Sequence, residues 1–232
     1  MAERPVFVPH CDNAVLIDEV LIDFVWNPGF APVQKKKNIV ALHEAAGKHG
    51  LKRLLEVSTK SDDRLGQRLS AFSLKVQTQL GTINLECAFQ GSKVFEGGGP
   101  YEDLYRGDPR HAKKDPRIRQ SGSLIGFRYF GQEWPLTPKT AFYDWLYLTA
   151  LQPHQEYLER SRIFDFDGFT DIEFNPRRSV NCQARTCALL VCLLRSNTLN
   201  SALKSQKDFI DIVSPYYSVA NRADKSNQQA LL

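Results

Sequence analysis

"ECAFQGSKVF", residues 86–95, is the stretch on which the reading of this chain turns. Taken as a helix, it is apolar or small almost all the way round, and only Glu86, Gln90 and Lys93 break the pattern. At about 100° per residue those three fall within roughly 60° of one another, on one face. A buried carboxylate costs free energy unless it is paired or hydrogen-bonded. A routine helical ion pair spans three or four residues, whereas Glu86 and Lys93 would stand about 10 Å apart along the axis. Two readings follow: a cavity between them that holds a ligand or water, or a polar stripe facing solvent on a partly exposed helix.

Outward from that stretch, the composition is that of a soluble globular chain. The 232 residues are 42% hydrophobic and 24% charged, with a formal net charge of +4, which permits an anionic partner without demanding one. The five cysteines, Cys11, Cys87, Cys182, Cys187 and Cys192, contain no CxxC, and the histidines show no zinc-type spacing, so reduced and mostly buried thiols are expected. The first ten residues lack an apolar signal core, and the longest apolar run, "CALLVCLL" (187–194), is too short to span a bilayer. A cytoplasmic protein with no membrane partner, no metal and no cofactor is expected.

Along the chain, "RPVFVP" (4–9) and "VLIDEVLIDFVW" (15–26) read as extended, the second as a strand or hairpin. "VQKKKNIVALHEAAGKHG" (33–50) reads as an amphipathic helix with Val33, Ile39, Leu42 and Ala46 on one face. A strand is expected around "AFSLKV" (71–76), then a helix through "GTINLECAFQGSKVF" (81–95) ended by "EGGGP" (96–100). Thr137 and Pro138 read as the N-cap and first residue of another helix. "FDFDGFTDIEFNPRRSVN" (164–181) reads as an acidic, aromatic loop, and "CQARTCALLVCLLRS" (182–196) as an apolar helix. The expected class is α+β, predominantly helical: one domain with an N-terminal strand and helix elaboration over 1–50, a core over 51–215 and a polar tail over 216–232.

Three charged groupings carry the remaining chemistry. Asp165, Asp167, Asp171 and Glu173 interleave with Phe166, Phe169 and Phe174. Gly168 comes too early for a calcium loop, which leaves a sugar-facing or catalytic carboxylate, or an aromatic-anchored surface loop. The segment from Arg106 to Arg119 carries Arg110, His111, Lys113, Lys114 and Arg117 against only Asp108 and Asp115. It suits phosphate contacts, as it suits a solvated surface. "QKKKN" (34–38) reads as a solvated face. "STKS" (58–61) offers hydroxyls for a turn or a phosphate.

"RLSAFSL" (68–74) followed by "ECAFQGSKVF" resembles the core of the NADAR, or YbiA-like, superfamily, whose pattern is a Leu-Ser-Asn-Phe-type segment and then a Glu-His-x-Phe/Tyr-Gln-x-x-Lys helix. Glu86, Phe89, Gln90 and Lys93 match; Cys87 replaces the usual histidine and Ala71 the usual asparagine. "STKSDDRLGQRLSAF" (58–72), "ECAFQGSKVFEGGGPYEDL" (86–104), "PLTPKTAFYDWLY" (135–147) and "FTDIEFNPRRSVNCQAR" (169–185) together resemble the branch of NADAR antitoxins associated with the DarT type-one DNA ADP-ribosyltransferase toxin. "FTDIEFNP" stands where the wider superfamily carries an Asp-x-x-Trp-Gly element.

The resemblance implies a YbiA-like fold and an antitoxin glycosidase that hydrolyses the N-glycosidic bond between ADP-ribose and guanine in DNA. Its partners would be ADP-ribosylated DNA, ADP-ribose as product and the cognate toxin. On that basis Glu86 would stabilise an oxocarbenium-like state or act as acid/base, and Lys93 would attack the anomeric carbon or orient the leaving group, desolvation favouring its neutral form. Asp171 is the second catalytic carboxylate, with Glu173 behind it. Gln90 would bind the ribose, Phe72 would form an aromatic wall, and Ser70, Ser58 and Lys60 would meet the diphosphate. Arg110, Lys113, Lys114, Arg117 and Arg119 would hold the DNA backbone, with Arg177 and Arg178 beside them. The alternatives are a NADAR-type glycosidase of a small phosphorylated metabolite of the riboflavin-intermediate type, and a non-catalytic antitoxin that binds ADP-ribose or the toxin.

Overall fold

In the computed structural model, which describes residues 1–10, 17–177 and 179–218, the two N-terminal apolar segments pair as antiparallel strands. β1 (Ala2–Pro9) and β2 (Ile17–Phe24) run in register from Ala2 opposite Phe24 to Pro9 opposite Ile17. The far side of β1 meets β9 (Gly168–Thr170), which also pairs in parallel with β3 (Leu54–Glu56), so the sheet order is β2-β1-β9-β3. The segment read as an acidic loop therefore contributes an inner strand. Three residues are too few for a visible alternation, and β9 owes its conformation to neighbours on both sides.

Helix α1 (Pro32–Gly47) covers one face of this sheet, where Ile39, Leu42 and Ala46 pack with Val6, Ile22, Phe24 and Ile172. Val33, which periodicity places on the same face, is 55% exposed. Buried Asn38 stands on it instead, its side chain accepting from the Asn27 N–H at 2.7 Å and donating to the Asn27 carbonyl at 3.0 Å. The other face meets α8 (Gln183–Arg195), which is buried nearly all round and also packs on α6 (Ala141–Leu151). A helix apolar on every side is a central helix, and here it joins the sheet to the rest of the core.

The decisive stretch is not one helix. Short α2 (Arg64–Arg68) precedes a hairpin of β4 (Lys75–Thr78) and β5 (Gly81–Asn84), so the strand expected at 71–76 starts later. Helix α3 then spans only Leu85–Gly91, and Lys93–Phe95 forms β6. Ser92 closes the helix: its N–H and its hydroxyl both donate to the Ala88 carbonyl, at 3.2 and 2.7 Å. Beyond it β6 pairs with β7 (Leu124–Tyr129), which turns through Phe130 and Gly131, both at positive φ, into β8 (Gln132–Trp134). A two-residue turn of that kind matches the right-handed twist of its strands. Val94 and Phe95, good strand formers, find in β7 a partner that local periodicity cannot reveal.

The basic segment folds into α4 (Pro109–Lys114), capped by Asp108, and α5 (Arg117–Gln120). Helix α6 starts at Ala141, after Thr140 rather than Thr137. The Ala141 N–H donates to the Pro138 carbonyl at 3.1 Å, so Pro138 lies in the turn before the helix. α7 (Gln155–Arg160), α9 (Leu199–Ala202) and α10 (Gln206–Ser218) complete the elements, and residues 219–232 lie outside the described ones. The result is a mixed α and β fold. The four described cysteines are buried and form no disulfide with one another, and Cys11 lies outside the described residues.

Candidate functional site

The site grows from the cap of α3. Asn84 accepts the Glu86 N–H at 2.9 Å, and its amide donates to the Phe72 carbonyl at 2.9 Å. One side chain thus starts the helix and fixes the loop that carries Phe72. One turn on, Gln90 Nε2 donates to Glu86 Oε1 at 2.9 Å, with both residues 5% exposed. Gln90 Oε1 and the hydroxyl of buried Ser70 have no hydrogen-bond partner. Buried acceptors left open are costly. An open acceptor on Gln90, which itself bonds the buried Glu86, is what a site built for a hydroxyl-bearing ligand would show.

Lys93 does not extend the stripe along a helix. It sits on β6, half-buried, with Nζ 4.9 Å from the centre of the Phe89 ring. Phe89 in turn meets Tyr143 of α6 edge-on at 5.1 Å. Burial pulls the Lys93 ammonium down to about 8; the charge of Glu86 works against that shift and Lys113 adds to it. A lysine in that range holds a usable fraction of free amine near neutral pH. Cys87, in the position of the family's histidine, is fully buried and donates to the Gly107 carbonyl at 3.2 Å; burial, then Glu86 and Asp108, push its thiol up to about 11. That is a packing role.

Asp171 follows β9 and accepts from Gln183 Nε2 at 2.9 Å and from the Glu173 N–H at 3.0 Å. Gln183 also accepts the Ala71 N–H at 2.8 Å, so it ties the loop next to Phe72 to this carboxylate. Burial raises Asp171 to about 6 against those hydrogen bonds; Glu173 adds to the rise and Lys113 opposes it. The Tyr143 hydroxyl, driven well above its ordinary range by burial, faces the charges of both Glu86 and Asp171. Glu86, Lys93, Lys113, Tyr143 and Asp171 therefore surround one region, drawn from α3, β6, α4, α6 and the loop after β9.

Sequence reasoning missed four contributors. Asn84 was legible as an N-cap two residues before a glutamate. Tyr143, Gln183 and Glu56 gave no local signal, because their partners lie far away in sequence. Glu56 is 3% exposed and accepts from the Ile172 N–H at 3.0 Å and from Thr170 Oγ1 at 2.7 Å. Thr170 spends its one proton there, so His43 Nε2, 2.9 Å away, is the donor to it. Burial lowers His43 to about 4 and keeps it neutral. Burial first, and the charge of Asp171 second, push Glu56 up to about 8. The folded chain then keeps a proton that the unfolded chain releases near 4.5. This group's contribution to stability is full below about 4.5 and declines as pH rises to about 8, by at most about 1.4 kcal/mol per unit. Glu56→Gln, uncharged and of the same shape, is expected to flatten that decline. Thermal unfolding at pH 5 and pH 8.5 checks it, and equal pH dependence in the two proteins would refute it. Asp144 is a contrasting buried acid: Thr140, Thr186 and Tyr217 donate to it at 2.7, 2.5 and 2.7 Å, so its acceptors are satisfied and its role is structural.

Other expected residues fall elsewhere. The acidic cluster is dispersed: Asp165 pairs with Arg53 and Arg162, Asp167 accepts the Lys52 and Arg53 N–H groups, and exposed Glu173 pairs with Lys35 at 3.6 Å. Buried Ser58 accepts the Lys60 N–H at 3.1 Å and bonds Glu56, which places it behind the site. Arg117 is held by Asp103 and Asp115 at 2.7 and 2.9 Å, which removes it from the free cations. Arg110, Lys113, Lys114 and Arg119 are exposed and make no ion pair among the described residues. Arg177 is exposed, and Arg178 lies outside the described residues.

Among the described residues no group of three or more His, Cys, Asp or Glu is placed to hold a metal ion, and no helix is long and apolar enough to cross a membrane. Compared with known proteins, residues 2–223 match the family model described as DarT1-associated NADAR antitoxin. No curated protein matches the chain.

Proposed function

We propose, from the premise that this chain belongs to the family of DarT1-associated NADAR antitoxins, that it is a hydrolase removing ADP-ribose from guanine in DNA. One observation carries the reading: a partly desolvated lysine amine feels the charge of a buried carboxylate, whose partner Gln90 keeps an open buried acceptor. NADAR proteins are in general N-glycosidases, and cleavage at an anomeric carbon needs these groups. As the bond to guanine lengthens, positive charge develops on the ribose ring, and Glu86 opposes it at close range. The Lys93 amine adds to the anomeric carbon as the guanine nitrogen leaves. Asp171 supplies the proton that the departing base takes up; water then displaces the lysine, its oxygen bonding to the anomeric carbon and its spare proton returning to the Asp171 carboxylate. Gln90 and Ser70 accept from ribose hydroxyls. Arg110, Lys114 and Arg119 meet strand phosphates, so binding of the modified strand should weaken steeply with salt.

A synthetic oligonucleotide bearing ADP-ribose on guanine, incubated with the pure protein without added metal, tests the reading by mass spectrometry. The expected result is loss of the ADP-ribosyl mass with the base intact. An unchanged oligonucleotide in the presence of folded protein would sink it. Retention of the oligonucleotide by Lys93→Ala at wild-type affinity, with no cleavage by either protein, would favour a binding-only antitoxin.

A further inference from the structure

Lys113 belongs by sequence with the cations that meet a DNA backbone, but the fold separates it from them. Its Nζ lies 5.3 Å from the centre of the Phe72 ring. Its charge reaches Lys93 on one side and Asp171 on the other. Helix α4, which carries it, is started by Asp108 accepting the Arg110 and His111 N–H groups at 2.9 and 3.0 Å, and it packs on α3. Lys113 makes no ion pair among the described residues. Two ammonium groups, Lys93 and Lys113, thus share one region, and their repulsion is relieved by an anion placed between them. Lys113 also covers a face of Phe72 through a weak cation–π contact.

We propose that Lys113 reads the phosphate of the bound ligand, and that it leaves Phe72 for that phosphate, freeing the ring for the ligand's own flat face. The proposal rests on the reading of the ligand as a phosphate-bearing ribose. Phosphate recognition and stacking are then coupled: a neutral nucleoside must displace Lys113 with nothing to receive it, whereas a nucleoside diphosphate sugar draws it away. Glu86 on α3 acts on Lys93, and Lys113 acts on Asp171 after β9; Tyr143 on α6 stands by both carboxylates, and Glu173 by Asp171.

Titration calorimetry with ADP-ribose and with adenosine, on wild type, Lys113→Met and Lys114→Met, tests the proposal. In Lys113→Met the Kd for ADP-ribose is expected to rise about ten-fold, in the range of a lost charge-assisted bond, while adenosine binds as well or better. Lys114→Met should bind ADP-ribose like wild type. ADP-ribose affinity unchanged in Lys113→Met would overturn the proposal. A wild-type protein that binds no ADP-ribose would instead overturn the functional reading. Lys113 is then judged by acetylation and mass spectrometry with pyrophosphate present: protection of Lys113 but not Lys114 supports it, and equal labelling of both overturns it. The same labelling in the absence of ligand adds a readout that a structural role would not move. The pH midpoint of Lys93 acetylation, near 8 in wild type, should shift upward in Lys113→Met, and an unmoved midpoint counts against coupling between the two lysines.

Discussion

Lys93→Met is expected to abolish cleavage of ADP-ribosylated DNA, lowering kcat by about a thousand-fold or more, while leaving affinity for the modified strand within a few-fold. Methionine keeps the length of the side chain and its contact with the Phe89 ring, so the variant removes the amine and little else. Lys93→Arg should be nearly as inactive: a guanidinium stays protonated at any working pH and cannot attack carbon. Arginine would restore activity if Lys93 acted only as a fixed positive charge. Single-turnover assays with both variants therefore separate the nucleophile from the electrostatic role. Glu86→Gln belongs to the same experiment. It preserves the hydrogen bond from Gln90 in shape and removes the charge that opposes the oxocarbenium, so kcat should fall by about a hundred- to a thousand-fold. A rise in KM without a fall in kcat would assign Glu86 to binding.

The stripe of Glu86, Gln90 and Lys93 was legible in the sequence for a reason that proved geometrically incomplete. Glu86 and Gln90 do share a helical face and do bond each other at the expected spacing. Lys93 joins them from a strand, because Ser92 ends the helix and β7 captures the next three residues. β7 lies just beyond the basic segment that ends at Arg119, and β9 lies inside the segment marked as acidic and aromatic. In both, the partner strand rather than the local pattern decides the conformation. The same limit explains the missed site residues. Gln183 and Glu56 act through partners more than a hundred positions away, at Ala71 and Ile172, so nothing near them in the sequence announces a role. Charge composition misled where pairing decides: Arg117 looks free in "DPRIRQ", and is clamped by Asp103, which that segment does not contain.

Asp171 supplies the second large effect, and its signature is a change in the shape of the pH profile. The free amine of Lys93 and the protonated carboxyl of Asp171 are both required in the scheme above, with values near 8 and near 6. Below about 6 the carboxyl is protonated and the rate climbs with the amine fraction. Between the two values the gain in amine cancels the loss of acid, which leaves a plateau. Above about 8 the amine fraction is complete and only the loss of the Asp171 proton remains, so the rate falls. The profile of kcat/KM is thus expected to be a flat-topped bell with limbs near 6 and 8. Asp171→Asn removes the acid and with it about a hundred-fold of rate. It should also remove the alkaline fall and let the climb continue to about 8, because only the Lys93 amine then titrates. Glu56, also near 8, is an acid that the charge of Asp171 helps to raise, and the profile measured in a Glu56→Gln background separates its contribution. An Asp171→Asn enzyme that keeps the alkaline limb would take the proton-donor role away from Asp171.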